Sequence, residues 1–364
     1  MTSPTWRQAF PGRCAVFFVT LTTALWVFWG TAEMFYEGWW GPWYQRPVYL
    51  IPGGVCLLMS LVAVAWPRVG GWLIIAIGAA FTTWWWMLQA RRGATLVGYL
   101  TMFPVSALLV LTGILFLLEA NFRKRRRDSG WQPPAQWWRS NFRFLFTLGL
   151  PLLVGIVTAA ANLPSILARV DDGDRGARLI EGNGVRLVWA PAGPGWGKDF
   201  SPRVKSQFRG LVRGEFPSWD EIARYGQEPV GYGKNPGPGM PHATAADMAA
   251  TDLCKYLSAD GLTLMPEAQS IWQMPTADEI VRSLTYRGKN AGCSWDRTTL
   301  QADCAHWTNK ETPLWDPNRA PIYYWAADEF DAERAYYVGW AGWLGYEPKS
   351  WGNSRHGFRC VREP

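Results

Sequence analysis

The sequence predicts a bundle of five membrane-spanning helices followed by an α+β domain outside the membrane. Three observations carry that expectation. Five uncharged apolar stretches of spanning length lie in the first half of the chain. The first 162 residues hold 13 Lys and Arg against 4 Asp and Glu, and the remainder holds 23 against 25. After residue 162 the long apolar runs give way to short β-rich segments, helix signals and four cysteines.

The averages alone, 49% hydrophobic residues and a net charge of +7 over 364 residues, describe a soluble basic protein. Dividing the chain overturns that picture, because the basic excess sits among the apolar runs. The length implies two or more domains. The composition excludes a disordered chain, a collagen and a small disulfide knot. The 25 tryptophans suit anchoring at a membrane interface or an aromatic core.

A helix needs about 20 mostly apolar residues to cross a hydrocarbon core. Residues 14–31, 48–66, 71–88, 97–118 and 144–162 qualify, and none carries an interior charge. Arg7 and Arg13 precede the first span, but no small-residue cleavage site follows, which predicts a retained helix and not a signal peptide. The run Arg123-Lys124-Arg125-Arg126-Arg127, with Arg139 and Arg143, marks its loop as cytoplasmic. The N-terminus is then cytoplasmic as well, and everything after the fifth span is extracytoplasmic; Arg91 and Arg92 dissent. The expected location is the plasma (inner) membrane, with the C-terminal domain extracytoplasmic or periplasmic. The basic run reads as a topology signal facing anionic lipid headgroups, with no nucleic acid as partner.

Within the spans no ionisable residue suggests an ion path. Glu33 and Glu119 stand at span ends, where solvent or headgroups are expected to reach them. Thr22, Thr23, Thr82 and Thr83 are expected to bond between helices. Glu37-Gly38-Trp39-Trp40-Gly41-Pro42-Trp43-Tyr44 reads as an interfacial aromatic belt. An anchor or assembly module, able to pack against other subunits of a membrane complex, fits these features better than a transporter.

The domain plan is 1–163 for the spans, 164–177 for a linker with Asp171-Asp172-Gly173-Asp174-Arg175-Gly176, and 178–364 for the α+β domain. Residues 179–189 surround Gly182-Asn183-Gly184, a hairpin turn signal. Residues 191–241 are rich in Gly and Pro, including Pro236-Gly237-Pro238-Gly239, and read as ordered loops with a short helix at 218–225. A regular helix is expected over 244–258, its apolar face formed by Met248, Leu253, Tyr256 and Leu257, stopped by Asp260-Gly261. Thr276 with Glu279 makes a capping box for a second helix that buries Ile280, Val281 and Leu284. Strands are expected at 322–326, 334–340 and 357–361.

Cys14 and Cys56 lie in spans and read as packing residues. Cys254, Cys293, Cys304 and Cys360 fall where disulfides persist, and four cysteines allow three pairings. The nearness of Cys293 and Cys304 favours one local bridge, leaving Cys254–Cys360 as the other. Metal binding by these thiols is the rival, without any Cys-x-x-Cys spacing to support it.

Several stretches together resemble the formylglycine-generating enzyme (sulfatase-modifying factor) family. They are Leu187-Val188-Trp189-Ala190-Pro191-Ala192-Gly193, Cys254-Lys255-Tyr256-Leu257-Ser258, Ile271-Trp272-Gln273-Met274-Pro275-Thr276-Ala277-Asp278-Glu279, and Trp351-Gly352-Asn353-Ser354-Arg355-His356-Gly357-Phe358-Arg359-Cys360-Val361. The third looks like the family's "LPTEAEWE" helix entrance and the last like its "GFR" terminal strand. The resemblance covers roughly residues 178–362, leaves the membrane half untouched, and implies a C-type-lectin-like fold with a helix-to-last-strand disulfide and a second bridge in the loops.

Active members of that family use a cysteine pair shortly before the terminal strand to bind copper and oxidise a substrate cysteine. No cysteine lies between Ile322 and Arg359, and Tyr323-Tyr324-Trp325-Ala326-Ala327-Asp328-Glu329 stands near the place of the family's "GNVWEW" motif. Related ergothioneine-type enzymes hold iron through several histidines, whereas His242, His306 and His356 are not at metal-ligand spacing. The expectation is a non-catalytic domain that recognises a carbohydrate, a peptide or a partner protein. A copper and thiol oxidoreductase with a non-standard cysteine site is the alternative.

Aromatic residues crowd the C-terminal stretch. Tyr336, Val338 and Trp340 alternate as a core strand would, while residues 340–351, with Gly342, Gly345 and Pro348, read as an exposed loop. Trp340, Trp343, Tyr346 and Trp351 are the ligand-binding candidates. Asp328, Glu329 and Asp331, with Glu333 beyond them, are oxygen donors of the kind Ca²⁺ takes, though such runs are commonly solvated turns.

Overall fold

A computed structural model describes residues 6–40, 43–91, 93–128, 130, 137–191, 216–231, 240–319, 321–352 and 355–364. Gly41, Pro42, Arg92, Ala192, Gly193, Asn353, Ser354 and the Pro236-Gly237-Pro238-Gly239 run lie outside the described residues, as does most of the expected 191–241 loop region. The chain divides into two compact units, Met1–Leu163 and Pro164–Pro364.

The first unit is helical. Helix α1 spans Trp6–Tyr36, α2 Ile51–Ala65, α3 Pro67–Arg91, α4 Leu96–Leu100, α5 Phe103–Asp128 and α6 Trp137–Leu167. Among the described residues, five segments are long and apolar enough to cross a membrane: Phe10–Tyr36, Trp43–Ala65, Pro67–Arg91, Leu96–Asp128 and Asn141–Leu167. The chain is a membrane protein. Its outward faces carry Leu58, Trp72, Leu153 and Ile156 in the open, an apolar surface suited to lipid tails.

Helices in lipid gain no hydrophobic advantage from meeting each other, so small residues and close backbones hold them together. Trp66 alone separates the end of α2 from Pro67, which starts α3, and a Cβ on Gly70 would overlap Ala63. Seven residues of continuous helix would separate those two by about 10 Å, so the chain doubles back there. A Cβ on Gly113 of α5 would lie 2.6 Å from the Gly71 carbonyl of α3, and one on Gly71 would lie 2.8 Å from the Gly113 carbonyl. Thr23 of α1 bonds Ser60 of α2 at 2.7 Å, and Thr20 bonds Thr147 of α6 at 3.2 Å. Thr82 and Thr83 instead donate to carbonyls of their own helix, Gly78 and Ala79. Thr23 therefore acts between helices as expected, Thr20 takes that role unforeseen, and Thr82 and Thr83 spend their hydroxyls locally.

Glu119 corrects the sequence reading. It is fully buried, not solvent-facing. Its Oε1 accepts from Arg123 Nε at 3.0 Å, Arg126 Nη2 at 2.8 Å and Arg143 Nη1 at 2.5 Å. Helix α5 runs past the expected span end to Asp128, and the missing side chain of Gly12 lets α1 close over the carboxylate. The aromatic belt is also mixed: Trp43 and Tyr44 are exposed, whereas Trp40 is buried and donates to the Tyr36 carbonyl.

The second unit is a mixed α+β domain. Strands β1, Arg178–Gly182, and β2, Val185–Trp189, form a hairpin whose two turn residues, Asn183 and Gly184, both have positive φ. That is the turn an Asn-Gly pair favours, because its twist matches the strands. Short helix α7, Trp219–Ala223, and helix α8, Ala245–Thr251, each begin with a capping box, Ser218 with Glu221 and Thr244 with Asp247. Helix α9, Ala277–Ser283, has the Thr276 and Glu279 box, and Ile280, Val281 and Leu284 are buried behind it.

Two pairs of short strands follow: β3, Thr285–Tyr286, with β4, Lys289–Asn290, and β5, Cys293–Ser294, with β6, Asp303–Cys304. Then come β7, Tyr323–Glu329, β8, Arg334–Gly339, β9, Leu344–Pro348, β10, His356–Gly357, and β11, Val361–Arg362. One sheet is ordered β1-β2-β11 and another β10-β7-β8-β9, with β10 parallel to β7. Helix α9 packs against strands of both.

Three expectations need correction here. The helix over 244–258 stops at Thr251, because Asp252 adopts extended geometry and its carboxylate accepts the Cys254 amide at 2.8 Å, opening a 3₁₀ turn over Leu253–Tyr256. Burial raises the Asp252 carboxyl to a pKa of about 7. The terminal strand over 357–361 is split between two sheets, since buried Arg359 bends away to donate to the Ala190 and Pro313 carbonyls. Within residues 340–351, Leu344–Pro348 form a paired strand, β9 beside β8, and not an open loop.

The residues read as a linker are bonded along the domain: Val170 N donates to Glu311 at 3.0 Å, and Arg175 pairs with Asp171 and Asp316. All four cysteines of the domain form disulfides, Cys254–Cys360 and Cys293–Cys304, with sequence separations of 106 and 11.

Two predictions follow from this packing. Replacing both members of Cys254–Cys360 by Ala should lower unfolding free energy by about 5 kcal/mol, and of Cys293–Cys304 by about 3 kcal/mol, from loop closure alone; denaturant titration of the solubilised chain compares the two. Gly113→Leu should wedge α3 from α5 and lower thermal stability in detergent by about 2 kcal/mol or more, whereas Gly149→Leu, whose Cβ would meet nothing within 4 Å, should not.

Candidate functional site

Strand alternation sorts the C-terminal aromatics onto two faces of the β10-β7-β8-β9 sheet. Tyr323 pairs in register with His356, and Trp325 with Tyr337, so these four share one face. His356 lies at their centre. Its ring is 4.7 Å from Tyr323, 5.0 Å from Trp325 and 4.5 Å from Tyr337. Trp351 stands 5.4 Å from His356, and Trp343 stands 5.6 Å from Tyr337 and 6.2 Å from Tyr323. Gly345, opposite Tyr337 in β9, has no Cβ because the Tyr337 phenol lies across it.

The group has a floor and a rim. Tyr323, Trp325, Tyr337 and His356 are buried, whereas Trp343 is 39% exposed and Trp351 half-buried. Burial holds the His356 pKa at about 3, so the ring is neutral at physiological pH. A neutral imidazole among aromatic rings offers an apolar wall with a polar edge.

Of the four ligand-binding candidates, the structure therefore brings Trp343 and Trp351 together. Trp340 is 9% exposed and belongs to the core. Tyr346 points to the opposite face, stacked on Phe330 at 3.9 Å, with Arg334 over both rings. The floor residues Tyr323 and Tyr337 and the central His356 were not candidates. Alternation within 323–325 and 335–337 is a usable signal for the tyrosines, but the register that seats His356 beside them is not visible in sequence.

The acidic group does not converge. Asp328 Oδ2 accepts the Ala277 amide at 2.6 Å, and Glu329 Oε2 accepts from buried Lys349 Nζ at 2.6 Å. Asp331 pairs with Arg334 at 2.5 Å, and Glu333 faces His242 Nε2 at 3.4 Å. Among the described residues no group of three or more His, Cys, Asp or Glu could hold a metal ion. Copper does not fit either: the domain's four cysteines are bonded in pairs, and the free ones, Cys14 and Cys56, belong to membrane helices.

A second polar constellation lies around Asp220. Its buried carboxylate accepts from His242 Nδ1 and the Ala243 amide, both at 2.7 Å. Lys349 donates to the Ala243 carbonyl at 2.9 Å and lies over the Trp219 ring at 4.9 Å. The cluster ties α7 to the residues before α8 and to the end of β9. It reads as a structural clamp, since every charged group in it has a protein partner.

Set against known protein families, curated proteins and solved structures, the chain shows no match.

His356 generates a pH prediction. Its folded pKa lies below the ordinary 6.5, so the stability it contributes is present above pH 6.5 and is lost as pH falls toward about 3. Wild type should lose up to about 1.4 kcal/mol per pH unit over that range relative to His356→Gln. Thermal unfolding of the two solubilised chains, paired at each pH, measures the difference.

Proposed function

We propose that this protein is a multi-pass membrane anchor presenting a non-catalytic recognition domain on the extracytoplasmic or periplasmic side of the plasma (inner) membrane, with the N-terminus cytoplasmic. The domain is of the formylglycine-generating-enzyme-like, C-type-lectin-like kind. Motif resemblance and the Cys254–Cys360 bridge from the middle of the domain to its end support that assignment. The basic end of α5, with Arg125, Arg126 and Arg127 in its last turn, supports the orientation.

One observation carries the recognition reading: Trp343 and Trp351 form an accessible rim over a buried aromatic and histidine floor. Flat aromatic faces without charge suit the apolar face of a sugar ring or a peptide side chain. The ligand would seat between the two tryptophans, and the neutral His356 would present a polar edge. The membrane helices hold the domain at the surface and offer faces for lipid and for other subunits of a complex. The oxidase alternative requires two free thiolates, whereas each cysteine of the domain is bonded to another.

The test is binding by the full chain in lipid nanodiscs, screened on glycan and peptide arrays. Trp343→Ala and Trp351→Ala should each weaken the ligand found by roughly tenfold or more, with little change in melting temperature. Tyr346→Ala, on the opposite face, should bind as wild type does. Equal loss in all three variants would sink the assignment of the site.

A further inference from the structure

We propose that the C-terminal domain carries a bilayer-docking patch, centred on Trp307 with Arg287 and Lys289 beside it, that binds the phospholipid headgroup layer where the last helix leaves the membrane. This surface is separate from the Trp343 and Trp351 rim and rests only on α6 spanning the bilayer.

The fifth spanning segment extends to Leu167. Its last residues are held by the domain's own side chains. Asn309 Nδ2 donates to the Ser165 carbonyl at 2.7 Å, and Ile166 is buried. Just beyond, Val170 N donates to Glu311 Oε2 at 3.0 Å, and the same carboxylate accepts the Gly288 amide at 3.0 Å. Thr312 N closes the arrangement on the Val170 carbonyl at 3.1 Å. Two segments of the domain, the β3–β4 turn and residues 305–312, are thereby bonded to the residues at and just after the end of the fifth apolar segment.

What these segments display suits that location. Trp307, two residues before Asn309, is 90% exposed, the most open large apolar side chain among the described residues. Leu167, two residues after the Ser165 carbonyl that Asn309 holds, is 71% exposed. Arg287 and Lys289 are exposed at the β3–β4 turn. Arg287 lies over Tyr286 at 5.2 Å, and Tyr286 stacks on His306 at 5.1 Å, which joins the basic turn to the segment bearing Trp307.

Water disfavours an indole left this open. The boundary between headgroups and acyl chains favours it, because the ring's apolar body and its N–H both find partners there. Lys and Arg at the same depth meet lipid phosphates. Glu311 has the role of positioning the patch: one carboxylate grips both the exit of the helix and the basic turn.

The experiment uses the full chain with Cys14→Ser and Cys56→Ser, reconstituted in nanodiscs of zwitterionic lipid with or without anionic lipid. A nitroxide is attached in turn at Ala305→Cys, which is exposed in the segment bearing an intact Trp307, at Leu153→Cys on the exposed face of α6, and at Leu262→Cys in the turn closed by the Ser258 to Thr263 hydrogen bond. Collision with oxygen reports the membrane phase, and collision with a water-soluble nickel chelate reports water. The oxygen-to-nickel ratio at 305 should exceed that at 262 several-fold in either lipid mixture and fall below that at 153. A ratio at 305 equal to that at 262 in both mixtures, with 153 immersed, overturns the docking patch while leaving the membrane anchor intact. A ratio at 153 equal to that at 262 would instead overturn the spanning helix and the patch with it.

Discussion

The Cys254–Cys360 disulfide is the constraint on which the C-terminal domain depends. It joins a 3₁₀ turn from the middle of the domain to the residue before its last strand, across a separation of 106 residues. No local interaction would bring those parts together. With Cys360 held, Val361 pairs with Trp189 of the opening hairpin and exchanges backbone hydrogen bonds with Gln273. Arg359, one residue earlier, is drawn into the core and satisfies its guanidinium on backbone carbonyls, and burial lowers its pKa. The chain before it has to leave that sheet, and His356 enters the other one beside Tyr323. The centre of the candidate site is thus a consequence of a covalent closure several residues away.

The same sheet explains why neighbouring aromatics serve different ends. The two-residue alternation of a strand sends Tyr337 to the His356 face and Tyr336 to the face of Tyr346 and Phe330. On the interior side Tyr324 stacks flat on Trp315 at 3.9 Å, and burial raises its pKa. In the C-terminal domain Trp189, Trp219, Trp272, Trp315, Trp325 and Trp340 all serve as core. Of the tryptophans beside this sheet, Trp343 at the β8–β9 turn and Trp351 in the strand-free stretch before β10 reach the surface. Accessibility, and not aromatic content, separates a ligand surface from packing.

The membrane unit follows a different rule. Lipid removes the hydrophobic drive between helices, so association relies on close backbone approach and on hydroxyl pairs. Gly71 against Gly113 and Thr23 against Ser60 are those devices. Glu119 is the exception, a fully buried carboxylate that three guanidiniums neutralise from α5 and α6. Removing one partner of a buried charged group leaves the others uncompensated, so this cluster fixes how the basic end of α5 meets α6.

Much of the architecture was legible in the residues themselves. Apolar length identified the spans, the Asn183-Gly184 turn announced its hairpin, and Thr276 with Glu279 announced α9, because each depends on residues within a few positions of one another. What depends on distant partners was not legible. Asp252 breaks its helix because its buried carboxylate caps the next turn, Glu119 is sealed in because Gly12 of another helix leaves room, and the terminal strand divides because Arg359 finds carbonyls at 190 and 313. Trp343 and Trp351 were candidates because the glycines and proline around them read as a loop; their gathering around Tyr323, Tyr337 and His356 came from strand register. Local periodicity and turn chemistry are written in adjacent residues, so the sequence by itself determined the elements. Burial, register and the company each side chain keeps are sums over contacts far apart in the chain, and only the tertiary structure decided those.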